Sequence, residues 1–231
     1  GRMLGERGHQ VAVLTRRING LPPCEVVDGV SVARAIRAIE AGPLYGLTYT
    51  LSAARFLLRH RHEWDVVHIT HMYLDAFAAI LTRRWHGLPI VVRPACAGYY
   101  GDLARLARFR AWPFYPGPGK VGLRVLIRTI ARADGFIGNS RELCEELLAA
   151  GFPAESVVRI PNGVDLHHFR PDPTARSAEG RRRLGLPAGP LLVFSGRLDP
   201  QKGLHTLIEA MRSPVLTASG SSLRTRYAIE W

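Results

Sequence analysis

Arg197 and Lys202 stand five positions apart in the stretch Leu191-Leu192-Val193-Phe194-Ser195-Gly196-Arg197-Leu198-Asp199-Pro200-Gln201-Lys202-Gly203-Leu204. An apolar run ends at Ser195, and Gly196 permits a tight turn. Gly203 opens a segment whose apolar residues Leu204, Leu207, Ile208 and Met211 repeat with a helical period. The pattern predicts a buried strand, a turn and a helix. It gathers a guanidinium, an ammonium and a helix N-terminus at the carboxyl end of a strand. That is where α/β sheets take ligands, and a helix N-terminus favours anions. Arg offers a planar fork to phosphate oxygens and Lys a point charge. In a group transfer, both would stabilise charge developing on a departing diphosphate. Spacing alone leaves a second reading open, a solvated loop with two surface cations.

The elements that would carry such a site alternate along the chain. Val11–Leu14, Val66–Ile69, Ile90–Val92, Gly135–Gly138, Val157–Ile160 and Leu191–Phe194 read as short strands. Helical stretches are expected near 46–63, 74–86, 119–133, 140–150 and 203–212. Alternation of this kind predicts βαβ units and a parallel sheet, and nearly all-apolar strands suit a sheet covered on both faces. Asn139 and Ser140 sit where a helix N-cap belongs, with Glu142, Glu145 and Glu146 behind them, and Gly151 closes that helix. The stretch 171–190 differs, with Pro171, Pro173, Pro187, Pro190 and the run Arg181-Arg182-Arg183. It reads as a linker holding one short helix.

Composition bounds the class. A hydrophobic share of 47% over 231 residues is ample for a buried core, which excludes a disordered chain. Lys and Arg number 31 against 19 acidic residues, a net charge of +12, so an anionic partner is expected. Cys24, Cys96 and Cys144 are odd in number and far apart. They form neither a disulfide framework nor a zinc spacing, which points to a reducing cytosol. No apolar run reaches the length of about 18 residues that a membrane-spanning helix needs. The chain opens at Gly1 on what reads as the end of a helix, and 213–231 has no clear period, so a chain shortened at both ends is expected.

Several segments resemble the family 4 glycosyltransferases, retaining enzymes of the GT-B fold. Gly5–Thr15 resembles their early helix-to-strand segment, and Asp65-Val66-Val67-His68 their Asp-Val-Val-His strand. Ala133–Ser140 is similar to their Ala-Asp-x-Ile-x-x-x-Ser segment. Ile160-Pro161-Asn162-Gly163-Val164-Asp165, with Phe169 and Pro171 following, is similar to their Pro-Asn-Gly-Val-Asp loop. Ser195-Gly196-Arg197-Leu198 with Lys202-Gly203 resembles their Gly-Arg-Leu-x-x-x-Lys-Gly donor loop. The resemblances run in the family's order from about residue 5 to 212.

The resemblance implies an α/β protein of GT-B type. Residues 1–170 would form a Rossmann-like acceptor-side domain lacking its first strand, and 191–231 the start of a donor-binding domain. It implies transfer of a sugar from a nucleotide-diphosphate sugar, with retention, to an unknown sugar or lipid-linked acceptor. Arg197 and Lys202 would act on the diphosphate, with Gly196, Asn162, Gly163 and Asp165 on the donor side of the cleft. An Asn-Gly pair is also a plain turn former. No bound metal and no cofactor beyond the nucleotide sugar are implied, and no Asp-x-Asp occurs in the chain.

Departures from the family pattern matter. Many members carry a His after the fourth strand of the first domain, where this chain has Arg93-Pro94-Ala95. The stretch continues Cys96-Ala97-Gly98-Tyr99-Tyr100-Gly101-Asp102-Leu103, similar to a family subgroup with a Gly-Asp-Leu loop. Gly98 and Gly101 would let backbone amides approach a sugar or phosphate, with Tyr100 between them, and Asp102 would hydrogen-bond hydroxyls. His71 would face the cleft on the same acceptor side. A glycine-rich loop ahead of a helix start, and an ordinary solvated His, are the alternatives left open. The glutamate pair that the family uses to hold donor sugar and ribose does not occur in this chain, so the 231-residue chain is expected to be inactive by itself.

Between 103 and 133 lie Arg105, Arg108, Arg110, Lys120, Arg124, Arg128 and Arg132 with no acidic residue. Arg124, Arg128 and Arg132 share a helix face, with Trp112, Phe114 and Tyr115 upstream. This face suits peripheral contact with an anionic membrane from the cytoplasmic side, or simple solvation. Pro116-Gly117-Pro118-Gly119-Lys120 is not a P-loop, because Phe114 and Val121 break its pattern. A basic module binding nucleic acid or membrane without transferase activity is the competing reading, but no nucleic-acid-reading motif occurs.

Overall fold

Short apolar strands cannot stand alone, and the chain joins them through helices that cover the resulting sheets. The computed structural model describes residues 1–108, 124, 127–188 and 191–211. It divides into two units, Gly1–Asn162 and Gly163–Trp231, so the division falls ahead of the boundary expected after 170.

The first unit holds α1 (Arg2–Gly5), β1 (Ala12–Arg16), β2 (Cys24–Val27), β3 (Val30–Ile36), α2 (Gly42–Arg59), β4 (Val67–Ile69), α3 (Leu74–His86), β5 (Ile90–Val92), α4 (Asp102–Arg108), β6 (Gly135–Gly138), α5 (Arg141–Ala149) and β7 (Val157–Arg159). Strands β4, β5, β6 and β7 lie side by side in that order, all parallel. A second sheet runs β1-β3-β2, with β1 and β3 parallel and β2 antiparallel to β3. Sequence reading missed β2 and β3. The signal was Asp28-Gly29, a two-residue hairpin turn in which both residues adopt positive φ, 50° and 75°.

Packing confirms why the parallel strands are apolar. Ile90, Val92 and Phe136 are fully buried, and Met72, Leu106, Ile130, Leu143 and Leu147 close around them. Phe136 meets Phe152 edge-on with ring centroids 4.7 Å apart, a favoured aromatic geometry. A smaller cluster of Ile36, Ala53 and Ala78, with Leu14 and Tyr49 against it, ties the three-stranded sheet to α2 and α3. Ser140 caps α5 as expected, its hydroxyl accepting the Leu143 N–H at 3.1 Å. Of the helix expected over 119–133, residues 124 and 127–130 are helical. Arg110, Trp112, Phe114, Tyr115 and Lys120 lie outside the described residues, as does the tail 213–231.

The second unit holds α6 (Ala178–Arg183) and α7 (Leu204–Met211), with 3-10 turns at Pro173–Arg176 and Pro200–Lys202. Here one expectation fails. Leu191–Phe194 forms no strand, and Val193 is 76% exposed. A strand needs a neighbour to take its backbone hydrogen bonds, and among the described residues of this unit none is present.

Truncating Phe136 to Ala should remove about 3–5 kcal/mol of stability, the usual cost of deleting a fully buried ring. Denaturant unfolding of the two proteins measures it. A shift no larger than that of the exposed Leu148→Ala would contradict the packing described.

Candidate functional site

The carboxyl ends of β4, β5, β6 and β7 bring four loops together, and most of the first unit's candidate residues lie on them. Asp102, the first residue of α4, is 3% exposed. Its Oδ2 accepts the Met72 N–H at 3.1 Å, from the loop after β4, and the Ala95 N–H at 3.3 Å, from the loop after β5. Its Oδ1 lies 3.8 Å from His71 Nδ1. The carboxylate expected to meet ligand hydroxyls is therefore engaged inside the fold.

The glycines of the same loop act on the backbone. Gly101 N–H donates to Gly98 O at 2.8 Å. A Cβ on Gly101 would fall 2.6 Å from Cys96 O and 2.9 Å from the Ala97 carbonyl carbon, so no side chain fits there. Gly98 adopts φ +72°, and its N–H donates to Glu146 Oε2 at 2.8 Å. That amide was expected to approach a ligand; α5 already occupies it. Tyr100 packs edge-on against Tyr99, with centroids 5.0 Å apart.

His71 is half-exposed and stacks on Tyr73 with ring centroids 5.8 Å apart. The Tyr73 hydroxyl is buried beside the side chains of Asp102 and Arg105. Burial, and then the neighbouring Asp102 carboxylate, push its ionisation well above the ordinary phenol range. Burial also raises Asp75, in the first turn of α3, although its backbone hydrogen bonds and His71 oppose the rise. Tyr49 is pushed up to about 12 by burial and by Asp75. His68 on β4 is lowered by burial and by the Arg93 guanidinium. Sequence reading did not single out Tyr73, Asp75 or Arg93 as site residues. Only their positions just past or just inside the strand ends could have signalled them.

At the end of the first unit, Asn162 Oδ1 accepts a hydrogen bond from Arg93 Nη2, and Asn139 Nδ2 donates to Ala95 O at 3.0 Å. Asn162 is thus held to the end of β5, where the family's usual His is replaced. Arg124, Arg128 and Arg132 are exposed, while Ile130 between them is fully buried.

In the second unit, Asp165 Oδ1 accepts the N–H groups of His167 at 2.9 Å and His168 at 3.2 Å, so this carboxylate also closes its own turn. Gly163 shows no positive φ, and a Cβ there would meet nothing within 4 Å. The expected donor turn is built around Asp199. Its Oδ1 accepts the Gln201 N–H at 2.9 Å, its carbonyl accepts the Lys202 N–H at 2.8 Å, and its own N–H donates to Arg197 O at 2.9 Å. Gly203 takes φ +66°, a left-handed value that favours glycine, and α7 starts immediately after it. Lys202 Cγ lies 3.8 Å from where a Cβ on Gly196 would stand. Arg197 and Lys202 are both exposed, and among the described residues neither pairs with a carboxylate. Two exposed cations against the single carboxylate of Asp199 leave the turn positive and able to attract an anion.

Among the described residues, no group of three or more His, Cys, Asp or Glu side chains converges as a metal ion would require. No described helix is long and apolar enough to cross a membrane.

A parallel sheet whose polar loops meet at its carboxyl ends makes the first unit Rossmann-like. The chain belongs to Glycosyltransferase Family 4, whose model matches residues 1–168. It is 32% identical over 231 residues to D-inositol 3-phosphate glycosyltransferase of Xylanimonas cellulosilytica, covering 91% of this chain and 52% of that protein. It is 27% identical to the GDP-mannose-dependent alpha-(1-6)-phosphatidylinositol monomannoside mannosyltransferase of Mycobacterium tuberculosis, covering 96% of this chain and 53% of the relative. Among solved structures, Anabaena Alr3699/HepE in complex with UDP superposes with a TM-score of 0.54 at 20% identity, covering 79% of this chain and 43% of that one. The chain spans about half the length of the curated relatives it matches.

Two measurements test this geometry. Gly101→Ala should cost about 1–3 kcal/mol by forcing the loop apart, read as a lowered unfolding midpoint; an unchanged midpoint would contradict the close approach. Asp75, with its raised folded-state value, stabilises the fold at acid pH and loses that contribution as pH rises through its titration. Asp75→Asn should therefore gain stability relative to the parent as pH rises above the ordinary carboxylate range. A gain in the opposite direction would reverse the assignment to burial.

Proposed function

We propose that the whole protein transfers a sugar from a nucleotide-diphosphate sugar to an acceptor hydroxyl, with retention of configuration at the transferred carbon. The observation that carries this reading is the pair of exposed cations, Arg197 and Lys202, which among the described residues make no ion pair, at a turn fixed by Asp199. A departing nucleoside diphosphate concentrates negative charge on its phosphate oxygens. A guanidinium and an ammonium fixed nearby lower the barrier to its departure. Family membership supports the reading, and so do the names of the relatives. One relative uses GDP-mannose, and Anabaena HepE has been solved with UDP, with UDP-glucose, and with UDP and glucose.

On this reading the side chains, and no metal or further cofactor, hold the diphosphate. Gly196 gives the backbone room beside Lys202, while Asn162, Gly163 and Asp165 lie on the donor side. The loops carrying His71, Gly98, Tyr100, Gly101 and Asp102 form the acceptor side, open to a sugar or lipid-linked acceptor. The exposed Arg124, Arg128 and Arg132 would rest against anionic lipid on the cytoplasmic face of a membrane. The 231-residue chain alone would transfer no sugar.

Transfer by the whole protein from labelled UDP-glucose and GDP-mannose is the test. Lys202→Ala and Arg197→Ala should each lower the rate about 10²–10³-fold, the scale of losing one preorganised donor to a developing anion. Full activity in both variants would overturn the assignment, and a product of inverted anomeric configuration would overturn retention. Sedimentation with vesicles tests the membrane contact: binding should require anionic lipid, and equal partition into neutral vesicles would remove it.

A further inference from the structure

We propose that Asp102 is a positioning residue that fixes the His71 imidazole for an acceptor hydroxyl, rather than a residue that meets the acceptor itself. The inference rests on the acceptor-side reading of the first unit's loops. Asp102, 3% exposed, is the most buried of the described polar and charged residues in the core. Oδ2 takes the backbone amides of Met72 and Ala95, which pins the loop after β4 to the loop after β5. Oδ1 lies 3.8 Å from Nδ1 of His71, the neighbour of Met72, with the Tyr73 side chain also against this carboxylate.

One carboxylate therefore sets both where His71 sits in the chain and which ring nitrogen turns inward. Tyr73 completes the arrangement by stacking on the imidazole, with an interplanar angle of 17°. The stack limits tilting of the ring, and the carboxylate limits its rotation about the plane normal.

The chemistry follows from the acceptor-only nature of a carboxylate. Facing Nδ1, it favours the tautomer that carries its proton there. Nε2 is then the unprotonated nitrogen, and among the described residues nothing bonds it. A bare Nε2 on a half-exposed ring accepts a hydrogen bond from a hydroxyl, so the ligand class is a polyol or sugar with a free hydroxyl. Asp102 makes no contact with that ligand. The other charged groups around His71 are Asp75 on α3 and Arg105 on α4, the latter beside Tyr73 and Asp102.

The experiment reads the tautomer directly, by long-range proton–nitrogen NMR of the histidine-labelled 231-residue chain. In the parent protein, neutral His71 should be mainly protonated on Nδ1. Asp102→Asn can keep its oxygen on the two amides but turns an N–H donor toward Nδ1. It should invert the ratio in favour of the Nε2-protonated form, while backbone amide signals outside the two loops stay in place. A purely structural carboxylate would leave the tautomer unchanged between the two proteins, and that result would overturn the proposal. The parent spectrum is decisive even if the variant does not fold: a predominantly Nε2-protonated His71 refutes it. Neither readout depends on sugar transfer, so failure of the transferase reading would appear separately, in the assay of the whole protein.

Discussion

Parallel strands leave backbone amides unpaired where they begin and end, and a buried amide without a partner costs about as much as a lost hydrogen bond. In this protein, helix-borne and loop-borne carboxylates take up those amides. Asp134 Oδ2 accepts the Ile90 N–H at 2.8 Å at the start of β5, and its other oxygen pairs with Arg83. Asp102 does the same past the ends of β4 and β5. Glu146 reaches from α5 to Gly98. The helices are thereby fastened to the sheet by charge-assisted bonds as well as by packing. The loops over the sheet's carboxyl edge are held in set positions, as a site assembled from loops requires.

That constraint also explains which residues stay available. Carboxylates that resemble ligand contacts in the sequence, Asp102 and Asp165, are engaged with backbone amides. Among the described residues, the Nε2 edge of half-exposed His71 and the side chains of Arg197 and Lys202 have no carboxylate partner.

Much of the parallel sheet was legible because its strands are short, apolar and bounded by turn residues. Ile90–Val92 and Gly135–Gly138 stand where they were read, and Ser140 caps its helix through the expected hydroxyl. Periodicity also found α3 at Leu74–His86. The β2–β3 hairpin escaped because Cys24–Val27 is short and largely exposed, although Asp28-Gly29 announced its turn. Leu191–Phe194 shows the opposite error. Its apolar run reads as a strand, but strand formation is a property of pairs, and apolarity cannot supply a neighbour. In the site, residue type marked Asp102, His71 and Gly101 as notable but did not reveal what each does. Whether a carboxylate faces a ligand or a backbone amide is decided by loops distant in sequence, and no local pattern records it.

Among the described residues Arg197 and Lys202 make no ion pair, and the one carboxylate of their turn, Asp199, caps a backbone amide, which has a thermodynamic side. In a chain of net charge +12, two like charges fixed on one turn repel each other and the rest of the molecule. Dissolved anions relieve that repulsion by crowding around the turn, so ordinary buffer ions and any phosphorylated ligand compete for one electrostatic vacancy. The repulsion at the turn is therefore strongest in dilute electrolyte, where screening is weakest.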